Sequence, residues 1–267
     1  MLEAVLFDLD DTLVLADNEQ LMRDYTRRLA KRYAAYVSPE VFSKALINCT
    51  LQAMAKNDAH TTFVERFMDC FCSTLDLQPD LTIFMDFYDH EYAQLGKWAR
   101  PAPGARQAVE YAQTHGLKIA VATNPLFPYS AIEKRLAWAK LDDIAWNFVT
   151  VGDRMHTCKP HVEYFLETAL HLGVSPHNCL MVGNDPVNDL PAKRVGMRTF
   201  LVEGRLDGEN EALRTFSAAK GNTRRLYQPD YRGSLYELPA VIDALSAEDA
   251  SGSIAGNGQS APGNTRN

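Results

Sequence analysis

The sequence predicts an α/β fold, with a parallel sheet covered by helices on both faces and an α-helical domain inserted straight after the first strand. Three observations carry this. Short apolar runs recur along the chain, each too short for a helix; stretches with helical spacing separate most of them; and residues 17–98 break that rhythm with helix-like segments alone. Alternation of this kind lays strands side by side in parallel, because each helix returns the chain to the same edge of the sheet.

The first run, Ala4-Val5-Leu6-Phe7, is continuously apolar, the pattern of a strand buried on both faces. Within the insertion, Phe63, Phe67 and Phe71 fall four apart, as do Phe84, Tyr88 and Tyr92, so each set lines one helix face. Pro101-Ala102-Pro103-Gly104 discourages helix continuation and returns the chain, which makes 13–16 and 97–104 the hinge pair. The α/β rhythm then resumes. Helices are predicted over 105–115, 129–140, 162–171 and 187–195, and strands over 117–122, 148–151, 179–182 and 199–202, with Gly116, Gly173 and Gly196 where helices stop. Polar segments around 204–208 and 221–222 follow, and 231–245 predicts an edge strand and a helix begun near Ser234. The core is therefore expected to comprise 1–16 and 99–249, and the helical module 17–98. Residues 250–267, rich in Ser, Gly and Asn, are expected to be a disordered tail, because they bury too little to offset the entropy of ordering.

Composition narrows the function. The 267 residues are 46% hydrophobic, enough for a substantial core, and 27 Lys plus Arg against 34 Asp plus Glu leave a net charge of -7. An acidic surface does not attract a phosphate backbone, so no nucleic-acid partner is expected. No signal peptide opens the chain and no run approaches a membrane span, which predicts a soluble, cytoplasmic protein. The five cysteines show no paired spacing and are expected to be reduced thiols packed in cores. The seven histidines form no close metal pattern; His161, two residues after Lys159, is the one to watch. Arg23, Arg27, Arg28, Lys31 and Arg32 read as a solvated helix face, with Asp24 and Arg28 an ordinary i,i+4 pair.

Asp8-Leu9-Asp10-Asp11-Thr12 follows the first strand at the carboxyl end, where open α/β sheets bind ligands. Asp8 and Asp10 emerging into one crevice repel each other and call for a cation, and oxygen-only ligands select a hard one such as Mg2+. One carboxylate can then attack an electrophile while the other handles protons, although such a loop can equally cap a helix. Thr123 and Asn124 follow the next long strand, where a hydroxyl and backbone amides suit either phosphoryl oxygens or an N-cap. Lys159, with Pro160 placed in the first turn of the helix from Val162, can point its charge back into the crevice. The loop Gly183-Asn184-Asp185-Pro186-Val187-Asn188-Asp189 brings further acids to the end of another core strand.

Together these four segments resemble the haloacid dehalogenase superfamily of phosphohydrolases, over roughly residues 1–12 and 100–202. The resemblance implies a Rossmann-like core with the helical insertion as its cap. It implies that Asp8 is a nucleophile forming an aspartyl phosphate, that Asp10 protonates the leaving oxygen and then activates water, and that Thr12, Thr123, Asn124 and Lys159 bind the phosphoryl group. Mg2+ would be held by the Asp8 side chain, the Asp10 carbonyl and an acid of the fourth segment. Many relatives have Gly-Asp where this chain has Gly183-Asn184, so Asp185 is the expected ligand, with Asn184 and Asp189 behind it. An acid at Asp10 favours phosphoryl transfer over dehalogenation, since a halide leaves without a proton. The implied function is a Mg2+-dependent phosphatase acting on a small phosphorylated metabolite. Alternatives are a phosphoglucomutase-like phosphotransferase and, given Asn184, a catalytically weak regulatory or binding protein. Neither the substrate nor the oligomeric state is written in these motifs.

Overall fold

A computed structural model describes residues 1–78, 80–203 and 227–255. The chain enters the sheet with β1 (Ala4–Phe7), makes a short strand β2 (Val14–Ala16), passes through the helical insertion and returns in β3 (Ala99–Pro101). The remaining strands are β4 (Lys118–Val121), β5 (Phe148–Val149), β6 (Cys179–Gly183), β7 (Arg198–Val202) and β8 (Tyr231–Gly233). Six of them form one parallel sheet in the order β5-β4-β1-β6-β7-β8. The fold predicted from the sequence is the fold found.

Every residue of β1 is buried, and its two faces enter different cores. Val5 and Phe7 pack with α5 (Ala105–Thr114), α6 (Tyr129–Trp138) and α8 (Leu238–Ala255), whereas Ala4 and Leu6 pack with α7 (Val162–Leu172). That is the reason for unbroken apolarity in this strand. Phe7 pairs with Val121 of β4 and Val182 of β6. The register therefore carries Asp8, Thr123 and Asn184 out over the same carboxyl edge.

The insertion contains α1 (Asn18–Arg32), α2 (Pro39–Ala55), α3 (Phe63–Leu75) and α4 (Thr82–His90). Each of the first three starts at a side-chain cap: Asp17, Ser38 before Pro39, and Thr62 in a reciprocal box with Glu65. The aromatic side chains read from the sequence meet in its core, with the rings of Phe67 and Phe71 5.3 Å apart, Phe71 and Phe84 5.4 Å, and Tyr33 and Phe42 5.0 Å. However, α4 ends at His90, so Tyr92 does not share its face with Phe84 and Tyr88. Both crossings lie side by side, since β2 pairs antiparallel with β3. A short 3-10 segment, Tyr92–Trp98, leads into the second crossing.

Several expectations are corrected. Cys49 and Cys70 are joined by a disulfide between α2 and α3, while Cys72, Cys158 and Cys179 are buried thiols as expected. No spacing rule could reveal that pairing, because it depends on how two helices pack. The strand expected over 148–151 ends at Val149. Over 187–195 only Leu190–Val195 is helical, and as 3-10, because Asp185 captures the backbone amides of Val187 and Asn188 and Pro191 has none to give. Pro160 stands before the N-cap His161, outside the first turn of α7, and follows a cis peptide bond. The last helix runs to Ala255, into the stretch expected to be disordered, since extending a packed helix adds a hydrogen bond for each residue fixed. The rest of that tail, and the polar segments around 204–208 and 221–222, lie outside the described residues.

Asp24 also departs from its reading as half of a surface pair. It is buried, and beyond Arg28 (3.1 Å) and Arg27 (2.5 Å) its carboxylate accepts from Lys97 (3.0 Å) and Trp98 (3.5 Å), fastening α1 to the returning chain. Burial raises the carboxyl pKa, but the hydrogen bonds from Arg27, Lys97 and Arg28 outweigh it and hold the group below the usual carboxylate range. A depressed pKa adds stability that is complete above the ordinary carboxylate pKa of about 4 and is lost as pH falls. Asp24→Asn should therefore cost about 1.5–3 kcal/mol in urea unfolding at neutral pH, the range for hydrogen bonds to charged groups. The deficit should shrink towards pH 3; a pH-independent deficit would show that packing, not charge, holds this contact.

Candidate active site

The carboxyl edge of the central strands places Asp8 at the end of β1, Thr123 and Asn124 beyond β4, and Asn184 and Asp185 beyond β6. Lys159 arrives from the loop before α7. All three ionisable groups at the centre are buried: Asp8, Lys159 and Asp189. The Lys159 ammonium donates to Asp8 Oδ1 at 2.7 Å and to Asp189 Oδ1 at 2.7 Å, so one cation serves two carboxylates. Burial opposes the lysine's charge, but Asp189 and Asp8 more than offset that and hold its pKa above the ordinary value. Burial pushes the Asp189 carboxyl up to about 7 against the pull of Lys159.

The second oxygen of Asp8 is held separately. Thr12 Oγ1 lies 3.0 Å from Asp8 Oδ2 and 3.1 Å from Asn184 Oδ1. The loop that presents Thr12 closes on Leu9, whose carbonyl accepts from the amides of Thr12, Leu13 and Val14, and Asp11 takes a left-handed φ of 60° at its bend. Thr12 is buried, and its hydroxyl orients Asp8.

The second segment divides its work. Thr123 is buried, and its carbonyl accepts from Thr150 Oγ1 and Tyr164 Oη, each at 2.7 Å. Asn124 Oδ1 accepts from the backbone N–H of Lys159 at 2.9 Å, which fixes the root of the lysine and commits that side chain to the scaffold. Neither residue caps α6, whose N-cap is Pro128.

Asp185, the expected metal ligand, is engaged within its own loop. Its Oδ1 accepts from the amides of Val187 (2.7 Å) and Asn188 (3.2 Å), and its Oδ2 accepts from Asn188 Nδ2 (2.6 Å). The carboxylate is turned into its own loop, a use for which Asp is favoured in turns. Asn184 is the residue of this segment that reaches the Asp8 carboxylate, through Thr12. Asp189 locks the loop, with Oδ2 accepting from the Asp185 amide at 2.9 Å.

Asp10 stands half-exposed at the mouth, and its carboxylate pairs with the buried guanidinium of Arg135 from α6. Arg135 Nε donates to Tyr92 Oη at 2.7 Å, and its guanidinium carbon lies 4.3 Å from the Phe127 ring centroid. Burial opposes this charge too, and Asp10 and Tyr92 outweigh it. Sequence reading missed Arg135. The available signal was its place on the buried stripe Ala131, Ile132, Arg135 and Leu136, where a charge needs a partner. His161, in contrast, lines a separate cavity of about 320 Å³ with Asn57, Glu163 and Arg194.

Among the described residues, no group of three or more His, Cys, Asp or Glu side chains forms a ready metal cage. The oxygens around Thr12 still fit a hard cation. Two acceptors, Asp8 Oδ2 and Asn184 Oδ1, share the single proton of one hydroxyl, which leaves lone pairs to spare.

The chain belongs to the haloacid dehalogenase-like hydrolases, whose family model matches residues 5–202. It is 24% identical over 200 residues to the bifunctional riboflavin kinase/FMN phosphatase of Arabidopsis thaliana, covering 74% of this chain and 48% of that one. It is 22% identical to the pyrophosphatase PpaX of Halalkalibacterium halodurans, covering 92% of this chain and 98% of that one. The chain spans about half the length of the first of the curated relatives it matches. Among solved structures, a phosphatase of the family from Thermococcus onnurineus superposes with a TM-score of 0.55 at 22% identity, covering 90% of this chain and 98% of that one, and so shares the fold. No helix among the described residues is long and apolar enough to cross a membrane.

Gly183 tests how tightly the centre is packed. A Cβ there would collide with the Asp189 carboxylate, which cannot retreat without releasing Lys159 or the Asp185 amide. Gly183→Ala should lower the unfolding free energy by about 1–3 kcal/mol, as overpacking does. A loss under about 0.5 kcal/mol would show that the loop can move aside.

Proposed function

We propose that the chain is a phosphatase that hydrolyses a small phosphorylated metabolite through an aspartyl phosphate on Asp8, with Mg2+ bound beside it. The observation that carries this reading is the held carboxylate at the end of β1, one oxygen on the Lys159 ammonium and the other on the Thr12 hydroxyl. A carboxylate aimed in this way, beside a buried cation, suits attack on an anionic electrophile, because the cation offsets the charge the substrate brings. The family and the phosphatase relatives support the same chemistry.

In this reading an Asp8 oxygen bonds to phosphorus as the ester P–O bond breaks, and the departing oxygen takes a proton from Asp10. Water then attacks the phosphorus of the aspartyl phosphate, gives a proton to Asp10, and leaves as part of inorganic phosphate while Asp8 recovers its carboxylate. Lys159 holds the transferring oxygens, Thr123 and the backbone at Asn124 border them, and Thr12 keeps Asp8 in line. Mg2+, when bound, neutralises charge on the transferring group. The Asp8 side chain, the Asp10 carbonyl and the Asn184 side-chain oxygen would hold it, with Asp189 fixing the loop behind and Asp185 spent on the turn.

Asp8→Asn should abolish phosphate release from p-nitrophenyl phosphate while the thermal unfolding transition persists; substantial turnover in that variant would remove Asp8 from the nucleophile's role. The metal assignment has its own test. Asn184→Asp adds charge to the proposed oxygen set and should lower the Mg2+ concentration for half-maximal rate, whereas Asp185→Ala should move it little. The opposite pair of results would return the ligand's role to Asp185.

A further inference from the structure

One guanidinium touches both the half-exposed carboxylate of Asp10 and the apolar core of the helical insertion. Arg135 itself belongs to α6 and is buried, with a side chain only 6% exposed. Its Nη1 pairs with Asp10 Oδ2, and its Nε donates to the hydroxyl of Tyr92, the first residue of the 3-10 segment leading back to the core. Tyr92 is fully buried among the aromatic residues of the insertion, 5.3 Å from Tyr88 and 6.2 Å from Tyr25 between ring centroids. It also stacks on Trp138 of α6 at 5.4 Å.

We propose that Arg135 is a positioning residue that sets the orientation of the Asp10 carboxylate, through its shared grip on Asp10 and the Tyr92 hydroxyl. The inference rests on the reading of Asp10 as the group that protonates the leaving oxygen.

The physics lies in the shape of the side chain. A guanidinium is planar, and its donors keep fixed angles to one another, so a shift of Tyr92 cannot be absorbed at Nε without turning the Nη that holds Asp10. Burial makes the coupling stiff, because a donor that loses its acceptor away from water bears the whole desolvation cost. Phe127 covers one face of the fork at 4.3 Å and limits how it can rotate. A lysine at this position would be a point charge without two fixed donor directions, and would not transmit the displacement.

The consequence is specific to leaving groups that need a proton. The test measures kcat/KM, which covers steps up to aspartyl phosphate formation, for glycerol 3-phosphate and for a series of phenyl phosphates graded in phenol acidity. Tyr92→Phe keeps the ring and its stacking but removes the acceptor from Nε, and Arg135→Lys keeps the charge but loses the fork. Each should reduce kcat/KM on the alkyl ester by about tenfold or more, and on p-nitrophenyl phosphate by less than about threefold, a part of the 10²–10⁴ that general acid catalysis supplies. Both should steepen the dependence on phenol acidity in the direction of Asp10→Asn. In an Asp10→Asn background, Tyr92→Phe should steepen it no further, since the two act on one proton transfer.

Equal losses on all esters, or an additive effect in the double variant, would make Arg135 a packing residue and overturn the proposal. Should Arg135→Lys fail to fold, Tyr92→Phe decides alone. If Asp10→Asn steepens the dependence and Tyr92→Phe does not, this inference falls while the role of Asp10 stands. If Asp10→Asn leaves the dependence unaltered, both fall.

Discussion

The ion triad of Asp8, Lys159 and Asp189 is the constraint around which the core is arranged. Three charges are withdrawn from water, and such a group persists only if every member is held in good geometry, because a buried charge without its partner costs several kcal/mol. The irregular features of the carboxyl edge follow from that demand. Asn124 grips the amide of Lys159, Gly183 leaves room for a carboxylate where any side chain would intrude, and Asp189 also secures the Asp185 amide. The strands supply the register, and the loops spend their polar groups on keeping one ammonium between two acids.

Much of this was legible beforehand, for a definite reason. β1 is apolar throughout because both its faces are covered, and acids placed directly after such strands have few structural excuses, so Asp8, Lys159 and the loop after β6 stood out. What escaped was set by contacts between segments far apart in sequence. Arg135 meets Asp10 across 125 residues and Asp24 meets Trp98 across 74, and neither chain segment contains its partner. Asp185 is a different case. Its short carboxylate is also a good turn former, and the amides of Val187 and Asn188 engage it. Composition does not register which neighbouring amides an acid will take.

Arginine under the mouth of the site also explains the aromatic company it keeps. A weakly hydrated, delocalised cation can lie over Phe127 and beside Tyr92 at smaller desolvation cost than an ammonium would incur. Lys159 has one ring beside it, Tyr164 at 5.9 Å, and is held chiefly by two carboxylate oxygens. Arg135 and Lys159 thus reflect two solutions to one solvation problem, aromatic faces at the border with the helices and acids at the centre of the sheet.

The two-stranded ribbon of β2 and β3 has a consequence for how this architecture can vary. Since Val14 lies opposite Pro101 and Ala16 opposite Ala99, the chain leaves the core and re-enters it at adjacent points. A segment whose ends already meet imposes little closure entropy on the remainder, and lengthening it adds only slowly to that entropy. Everything between the two strands is topologically a single detour, open to growth, trimming or exchange over evolutionary time while the order of the six parallel strands stays as it is.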